Sequence, residues 1–263
     1  MIKPRRGADW NYGGKRWRLS RSKIDLFTEC ARCFYLDNKL GVARPRPPSF
    51  TLNIAVDNLL KKEFDLHRAG VTAHPLMTEY GVDAVPFQHK NMDTWRENFE
   101  GIQCTHKETG LTISGAIDDV WVNPKGELII VDYKATSKDG KIDSLDDTSW
   151  QNQYKRQMEV YQWLFRQNGF KVSDTGYFVY VNGKKDEAAL DKKLEFDVTL
   201  IAHKGNTDWI DGVIVDIKKC LDSDKVPTHG SECEFCNYRK LAREAFEESV
   251  QGSAKAKKEK LFS

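Results

Sequence analysis

A β-hairpin is predicted near the middle of the chain. Two segments rich in apolar residues flank the turn sequence PKG at 124–126. The pattern predicts a first strand over 112–123, a three-residue loop, and a return strand over 127–135. Proline pre-sets φ at the start of such a loop, and Gly126 suits its left-handed position. The second strand includes LIIV at 128–131, an apolar run typical of a strand buried on both faces.

The loop length decides which side chains of the hairpin meet, and three residues make Asn123 face Glu127. Counting back along the strands places Asp118 opposite Asp132, on one face of the sheet. Lys134 shares that face because strand side chains alternate with period two. Two facing aspartates need a compensating cation, and hard divalent ions prefer carboxylate oxygens. We therefore expect a metal site here; the alternative is two strand ends with ordinary surface charges.

Helical spacing of apolar residues predicts two helices before the hairpin. The first begins at Ser20, a good N-cap, and carries Cys30 and Cys33. The second covers about 51–68, and Asp57 lies on or beside its apolar stripe. A buried carboxylate needs a metal, a cation or hydrogen bonds, whereas one at the edge of the stripe reaches water; position alone leaves both open. The predicted stripe consists of Leu52, Val56, Leu59, Leu60 and Phe64.

A strongly amphipathic helix is predicted after the hairpin, over 150–168. Gln157 and Tyr161 are four residues apart on it and therefore share a face. The alternative for both is a polar side chain that is satisfied locally and has no chemical role. Further elements are predicted as a helix at 92–99, strands at 175–182 and 193–202, and a helix at 207–221.

Composition sets limits on the domains and partners. At 263 residues the chain can bury a sizeable core, and we predict one domain over 19–248. Residues 1–18 form a basic, aromatic arm, and 249–263 form a basic flexible tail. The net charge is +2 with 30% charged residues, so any nucleic-acid binding must come from local patches. No apolar run approaches membrane-spanning length, and we expect a cytoplasmic protein that does not contact a membrane.

Two CxxC pairs stand at opposite ends of the chain, Cys30 with Cys33 and Cys233 with Cys236. Four thiols in two closely spaced pairs are typical of a thiolate-bound metal centre in a reducing compartment. Such a centre would join the N-terminal and C-terminal segments. The alternatives are two separate redox pairs or cysteines that only pack.

Four blocks of the sequence resemble the RecB-like PD-(D/E)XK nucleases. That family includes iron-sulfur exonucleases associated with CRISPR adaptation and AddB-type helicase-nuclease subunits. The resemblance spans roughly Ser20 to Arg239, and several ordered blocks are more specific than one. The blocks are GAIDD at 115–119, VDYK at 131–134, Gln157 with Tyr161, and Cys30 with Cys233 and Cys236.

The chain departs from the family pattern at two points. Asp57 stands where the family often has a metal-binding histidine, which would give a site with three carboxylates. The family usually takes one early and three late cysteines, but Ala242 stands where the last is expected, and Cys33 would replace it. The metal is then a four-iron four-sulfur cluster by resemblance or a tetrahedral zinc by spacing.

The resemblance implies a hydrolase that cleaves DNA phosphodiester bonds with one or two Mg²⁺ or Mn²⁺ ions. Lys134 would position the attacking water and stabilise developing negative charge. Gln157 and Tyr161 would contact the nucleic-acid backbone or orient Lys134. The metal ligands that it implies are Asp57, Asp118, Asp132 and the backbone carbonyl of Tyr133.

The same resemblance implies an α/β fold with a restriction-endonuclease-like core. Helices would flank a mixed central sheet, and a cysteine metal staple would join the terminal segments. The expected activity is that of an exonuclease on single-stranded DNA ends, in repair, recombination or CRISPR-type processing, with a helicase or other DNA-processing protein as partner. One alternative is a non-catalytic, metal-stapled scaffold that binds nucleic acid within a repair complex. Another is a zinc-stabilised protein that binds a protein partner only.

Overall fold

The computed structural model describes residues 7–45 and 48–261, with side chains described except at 149 and 251–261. The first part of the predicted arm and the last two residues of the predicted tail therefore lie outside the described residues. The described residues form two compact units. We call 18–25 with 48–218 the sheet unit, and 7–17 with 26–45 and 219–261 the cysteine unit. No helix in these ranges is long and apolar enough to cross a membrane.

The sheet unit contains two mixed sheets. The strands are β1 Leu19–Ser20, β2 Val85–Pro86, β3 Ile102–Thr105, β4 Thr112–Gly115, β5 Asp119–Val122, β6 Leu128–Thr136, β7 Thr175–Gly183 and β8 Phe196–Lys204. One sheet has the order β1-β4-β3 and the other β2-β5-β6-β7-β8. β6 and β7 are parallel, whereas β5-β6 and β7-β8 are antiparallel. The mixed α/β class predicted from the sequence is confirmed.

The helices are α1 Arg21–Glu29, α2 Ala31–Asn38, α3 Thr51–Gly70, α4 Pro75–Glu79, α5 Met92–Arg96, α6 Ser149–Gln167, α7 Trp209–Asp222 and α8 Glu234–Leu261. The predicted first helix is thus two helices, because Cys30 between them has an extended backbone with φ −159° and ψ 102°. The stretch from 249 to 261, predicted as a tail, continues α8.

The central hairpin has the predicted turn and register. Gly126 has φ +71°, and Asp119 pairs with Val131, which places Asp118 across from Asp132. The predicted single strand over 112–123 is wrong, since β4 and β5 belong to different sheets. The backbone at 117–118 bonds α5 instead of a neighbouring strand: Ile117 N donates to the Trp95 carbonyl at 3.0 Å, and Arg96 Nε donates to the Asp118 carbonyl at 3.0 Å.

Helix α3 packs on β6 and β2 and supplies one side of the core. Val56, Leu60 and Phe64 are buried there at i, i+4 and i+8. Leu52 and Leu59, predicted in the same stripe, are exposed, because only a narrow stripe of the helix faces the sheet. Asp57 follows the buried Val56 and is itself half-buried, so it lies at the edge of the buried stripe.

Helix α6 packs on β6 and also on β3 and β4. Its approach to β4 requires glycine, since a Cβ at Gly115 would lie 2.7 Å from Cε1 of the Tyr161 ring. Alternation along β6 points Val131 and Tyr133 into the core shared with α3, and therefore points Asp132 and Lys134 towards α6. The two faces of one strand thus serve packing and chemistry respectively.

Candidate active site

A cleft of about 430 Å³ opens in the sheet unit where α3, the segment before β5, the end of β6 and α6 converge. The polar side chains that line it come from separate parts of the sequence. They are Asn53, Asp57, Lys61, Arg96, Asn98, Asp118, Tyr133, Lys134 and Tyr154. Asp132 lies beneath this surface and is fully buried.

Asp57 and Asp118 share one lysine. Lys61 Nζ lies 2.8 Å from Asp57 Oδ2 and 3.4 Å from Asp118 Oδ1. Burial, together with the charge of Asp118, raises the pKa of Asp57. Burial lowers the pKa of Lys61, but the two carboxylates outweigh it and the net shift is upward. Sequence analysis missed Lys61, although its i+4 spacing from Asp57 on a helix was a usable signal.

Asp118 is held by the backbone of the facing strand. Tyr133 N donates to Asp118 Oδ2 at 2.9 Å. The Tyr133 carbonyl, predicted as a metal ligand, belongs to β6 where Tyr133 is in register with Val179 of β7. In the described structure the backbone of Tyr133 contacts Asp118 through its N–H.

Asp132 is the most deeply placed carboxylate of the site. Its Oδ1 accepts from Gln157 Nε2 at 2.7 Å. Its Oδ2 forms an ion pair with Lys134. Burial raises the pKa of Asp132 to about 6, with the charge of Asp118 adding to the shift and that of Lys134 opposing it. A buried carboxylate needs a compensating cation, and Lys134 supplies it in the described structure.

Gln157 connects the predicted residues of α6 and β6. Its Oε1 lies 3.4 Å from Lys134 Nζ, and its Nε2 lies 3.1 Å from Tyr161 Oη. The Lys134 ammonium also lies 4.4 Å from the centre of the Tyr154 ring, a favourable position for a cation. Burial raises the pKa of Tyr161 to about 12, so its hydroxyl stays protonated at neutral pH. The structure thus brings Asp132, Lys134, Gln157 and Tyr161 together.

Arg21 is a further cation of this group that sequence analysis missed. It hydrogen-bonds Tyr161, and Asp132 and Asp25 lie close enough to raise its pKa above the ordinary value, although burial lowers it. Its only signal in the sequence was its position as the first residue after the predicted N-cap.

A second polar network supports Asp118 from behind, and it is centred on Asp119. This carboxylate is fully buried and pairs with Arg68 and Arg96. Tyr133 Oη also donates to it at 2.9 Å. Arg96 Nε donates in turn to the carbonyl of Asp118 at 3.0 Å, so the network fixes the backbone that carries Asp118.

The donor set fits a hard divalent cation, because carboxylate oxygens are the preferred ligands of Mg²⁺ and Mn²⁺. In the described structure Lys61 pairs with both Asp57 and Asp118, and Lys134 pairs with Asp132. Within the described residues the four thiols below are the group whose ligand atoms all lie within 4.8 Å of one another, and the three carboxylates are spread more widely. Asp57, Asp118 and Asp132 are the residues that would hold such an ion.

The cysteine unit contains a second candidate metal site. The Sγ atoms of Cys30, Cys33, Cys233 and Cys236 all lie within 4.8 Å of one another and are buried. The separation is 3.9 Å for Cys30–Cys236, and 3.6 Å for both Cys33–Cys233 and Cys33–Cys236. We call these residues the cysteine centre. Both pairs contribute, as the sequence predicted.

Two groups around the cysteine centre favour thiolates. Gly230 N donates to Cys30 Sγ at 3.4 Å, and Arg44 Nη2 donates to Cys233 Sγ at 3.2 Å. Burial raises the pKa of Cys30, but the N–H groups of Gly230 and Cys33 outweigh it and bring it down to about 6. These N–H donors stabilise a thiolate, the form that binds metals, at Cys30. Burial raises the pKa of Cys33 and Cys236, and neighbouring thiols add to the shift at Cys236.

Comparison with known proteins decides the family. A family model, that of the PD-(D/E)XK nuclease superfamily, matches residues 55–241. The chain belongs to this superfamily. Its members are nucleases that use divalent metals, and the match includes Asp57, Asp118, Asp132 and Lys134. The narrower resemblance to RecB-like and CRISPR-associated enzymes stays a prediction.

Structural comparison adds a distant likeness. The chain is similar to a solved structure titled "Crystal structure of SSO0001", with 14% sequence identity and a TM-score of 0.41, over 85% of this chain and 84% of that one. The family assignment does not depend on this likeness. No curated protein matches the chain.

Proposed function

We propose that this protein is a divalent-metal-dependent deoxyribonuclease that degrades DNA from single-stranded ends. The observation that carries the proposal is the pair of Asp132 and Lys134 on one face of β6, held by Gln157. A buried carboxylate next to an ammonium, at the floor of a cleft lined by both carboxylates and cations, suits phosphodiester hydrolysis in a superfamily of nucleases.

Each polar side chain of the cleft would have its own role in the reaction. Asp57, Asp118 and Asp132 would hold Mg²⁺ or Mn²⁺, which supplies Lewis acidity and a water of lowered pKa. Lys134 would position the attacking water and stabilise negative charge on the phosphate, and its partial burial strengthens that interaction. Gln157 keeps Asp132 and Lys134 in a fixed orientation through its two amide atoms. Lys61, which lies between Asp57 and Asp118, would be a further cation for a phosphate in the cleft.

We propose zinc for the cysteine centre. In a tetrahedral zinc site with bonds of about 2.3 Å, neighbouring sulfurs lie about 3.8 Å apart. Three of the separations between the sulfurs, 3.6–3.9 Å, agree with this value, and all of the sulfurs lie within 4.8 Å of one another. In a four-iron four-sulfur cluster each thiolate binds a separate iron, which requires wider spacing. Anaerobically purified protein should therefore contain one zinc per chain, and about four irons with acid-labile sulfide would contradict the assignment.

The biological setting rests on the resemblance of the sequence blocks. We propose a cytoplasmic exonuclease of DNA repair, recombination or CRISPR-type processing that works with a helicase or another DNA-processing protein. Four buried, unoxidised thiols are consistent with a reducing compartment.

Degradation of end-labelled DNA tests the proposed activity. Single-stranded and duplex substrates would be incubated with Mg²⁺, with Mn²⁺ and with a chelator. The proposal expects metal-dependent cleavage that yields a ladder from one end of the single strand. Internal cuts in a circular single strand would refute the exonuclease assignment but keep the nuclease. A folded, metal-supplied protein that leaves every substrate intact would refute both.

A further inference from the structure

We propose that the rim of the cleft carries an aromatic platform, Phe50 and Trp150, on which bases of a single-stranded nucleic acid stack beside the cut site. This proposal rests on the proposed function and adds to it how the substrate is recognised. The two rings belong to different parts of the sheet unit, one before α3 and the other in the first turn of α6.

Phe50 forms one side of the platform. Its side chain lines the same cleft as Asp57, Asp118 and Lys134, yet it is 65% exposed. Ile54, one turn later on α3, also lines the cleft and is exposed. Together Phe50 and Ile54 give the polar cleft an exposed apolar surface that a ligand with an apolar face can contact.

Trp150 forms the other side. Its ring lies 4.9 Å from that of Tyr154 in an edge-on arrangement, and Tyr154 lines the cleft. Lys138 Nζ lies 4.5 Å from the centre of the Trp150 ring. Lys134 stands in the same relation to Tyr154. The ammonium groups of Lys138 and Lys134 thus lie over the rings of Trp150 and Tyr154, where they can bind phosphates, while Phe50 presents an exposed ring to a base.

The chemistry of these side chains selects a single strand. Aromatic rings stack on any base, and adjacent lysines bind the phosphates, which together give sequence-independent binding of unpaired nucleotides. In a duplex the faces of the bases are already stacked on their neighbours, so the rings find no partner. The cleft volume of about 430 Å³ lies in the range of roughly 300–1,000 Å³ usual for ligand sites.

Phe50→Ala tests the platform with a matched control close by. Leu52→Ala removes another exposed side chain from the start of α3, 58% exposed and outside the residues that line the cleft. Binding of a labelled oligothymidylate would be measured by fluorescence anisotropy in Ca²⁺, for wild type and both variants, with thermal unfolding as the check on folding. The same oligonucleotide with abasic sites in place of bases removes the stacking partner.

The proposal expects Phe50→Ala to weaken binding of the oligothymidylate roughly 10-fold, with Leu52→Ala unchanged. Wild type and Phe50→Ala should bind the abasic strand with equal affinity. Equal binding of oligothymidylate by wild type and Phe50→Ala, or an equal loss on the abasic strand, overturns the platform and leaves the nuclease proposal standing. A wild-type protein that binds no DNA at any salt concentration overturns both.

Discussion

Replacing Asp119 by asparagine should lower the free energy of unfolding by a large amount, although asparagine has the same shape as aspartate and differs only in lacking the charge. Asp119 is fully buried and is paired with two arginines whose side chains are only 10–11% exposed. Asparagine keeps the shape but removes the charge that neutralises Arg68 and Arg96. Two guanidinium groups would then stay in a region with little water and one carboxylate fewer.

The magnitude follows from burial. Removing one partner of a buried ion pair costs about 3–5 kcal/mol, a large share of the roughly 5–15 kcal/mol that stabilises a typical domain. Asp65 provides the control, because it contacts the same Arg68 and Arg96 but its side chain is 44% exposed. For Asp65→Asn we expect about 1 kcal/mol or less, since water replaces the lost contact.

Urea unfolding at 20 °C with a fluorescence readout would compare the two variants with wild type. Mn²⁺ binding should weaken in Asp119→Asn as well, because Arg96 also holds the carbonyl of Asp118. Equal losses in unfolding free energy for the two variants would refute the reasoning from burial. So would a loss below about 1 kcal/mol for Asp119→Asn.

Three further predictions concern the metal site and its packing. Lys61→Ala should increase Mn²⁺ affinity roughly 10-fold, since the ammonium competes with the metal for Asp57 and Asp118; a weaker affinity by isothermal titration would be inconsistent with competition. Mn²⁺ affinity should fall as pH drops through about 6, because a proton then occupies Asp132, and a constant affinity between pH 5 and 7 would exclude this. Gly115→Ala should lower the unfolding free energy by about 1–3 kcal/mol through its clash with Tyr161, whereas unchanged urea unfolding would show that α6 can move away.

Local rules were sufficient for the hairpin and the α6 pair. The three-residue loop fixes the register that sets Asp118 across from Asp132, and loop length is visible in the sequence. The separation of four residues between Gln157 and Tyr161 likewise fixes their shared helix face, and the structure joins them by a hydrogen bond.

Long-range contacts explain what the sequence did not predict. The break between β4 and β5 depends on bonds from residues 117–118 to α5, which no local pattern reveals. The burial of Asp119 depends on Arg68 and Arg96 arriving from elsewhere in the chain. Leu52 is exposed although its helical spacing resembles that of the buried Val56, Leu60 and Phe64.

One measurement decides whether the cleft is a metal-dependent nuclease site: the cleavage rate of a labelled single strand at saturating Mn²⁺ for Lys134→Ala relative to wild type. Lys171→Ala is the control, since the side chain of Lys171 is 63% exposed and its ion pair with Glu127 lies outside the cleft. We predict a loss of at least about 100-fold for Lys134→Ala and none for Lys171→Ala. Cleavage by Lys134→Ala at the wild-type rate would contradict the assignment of this site.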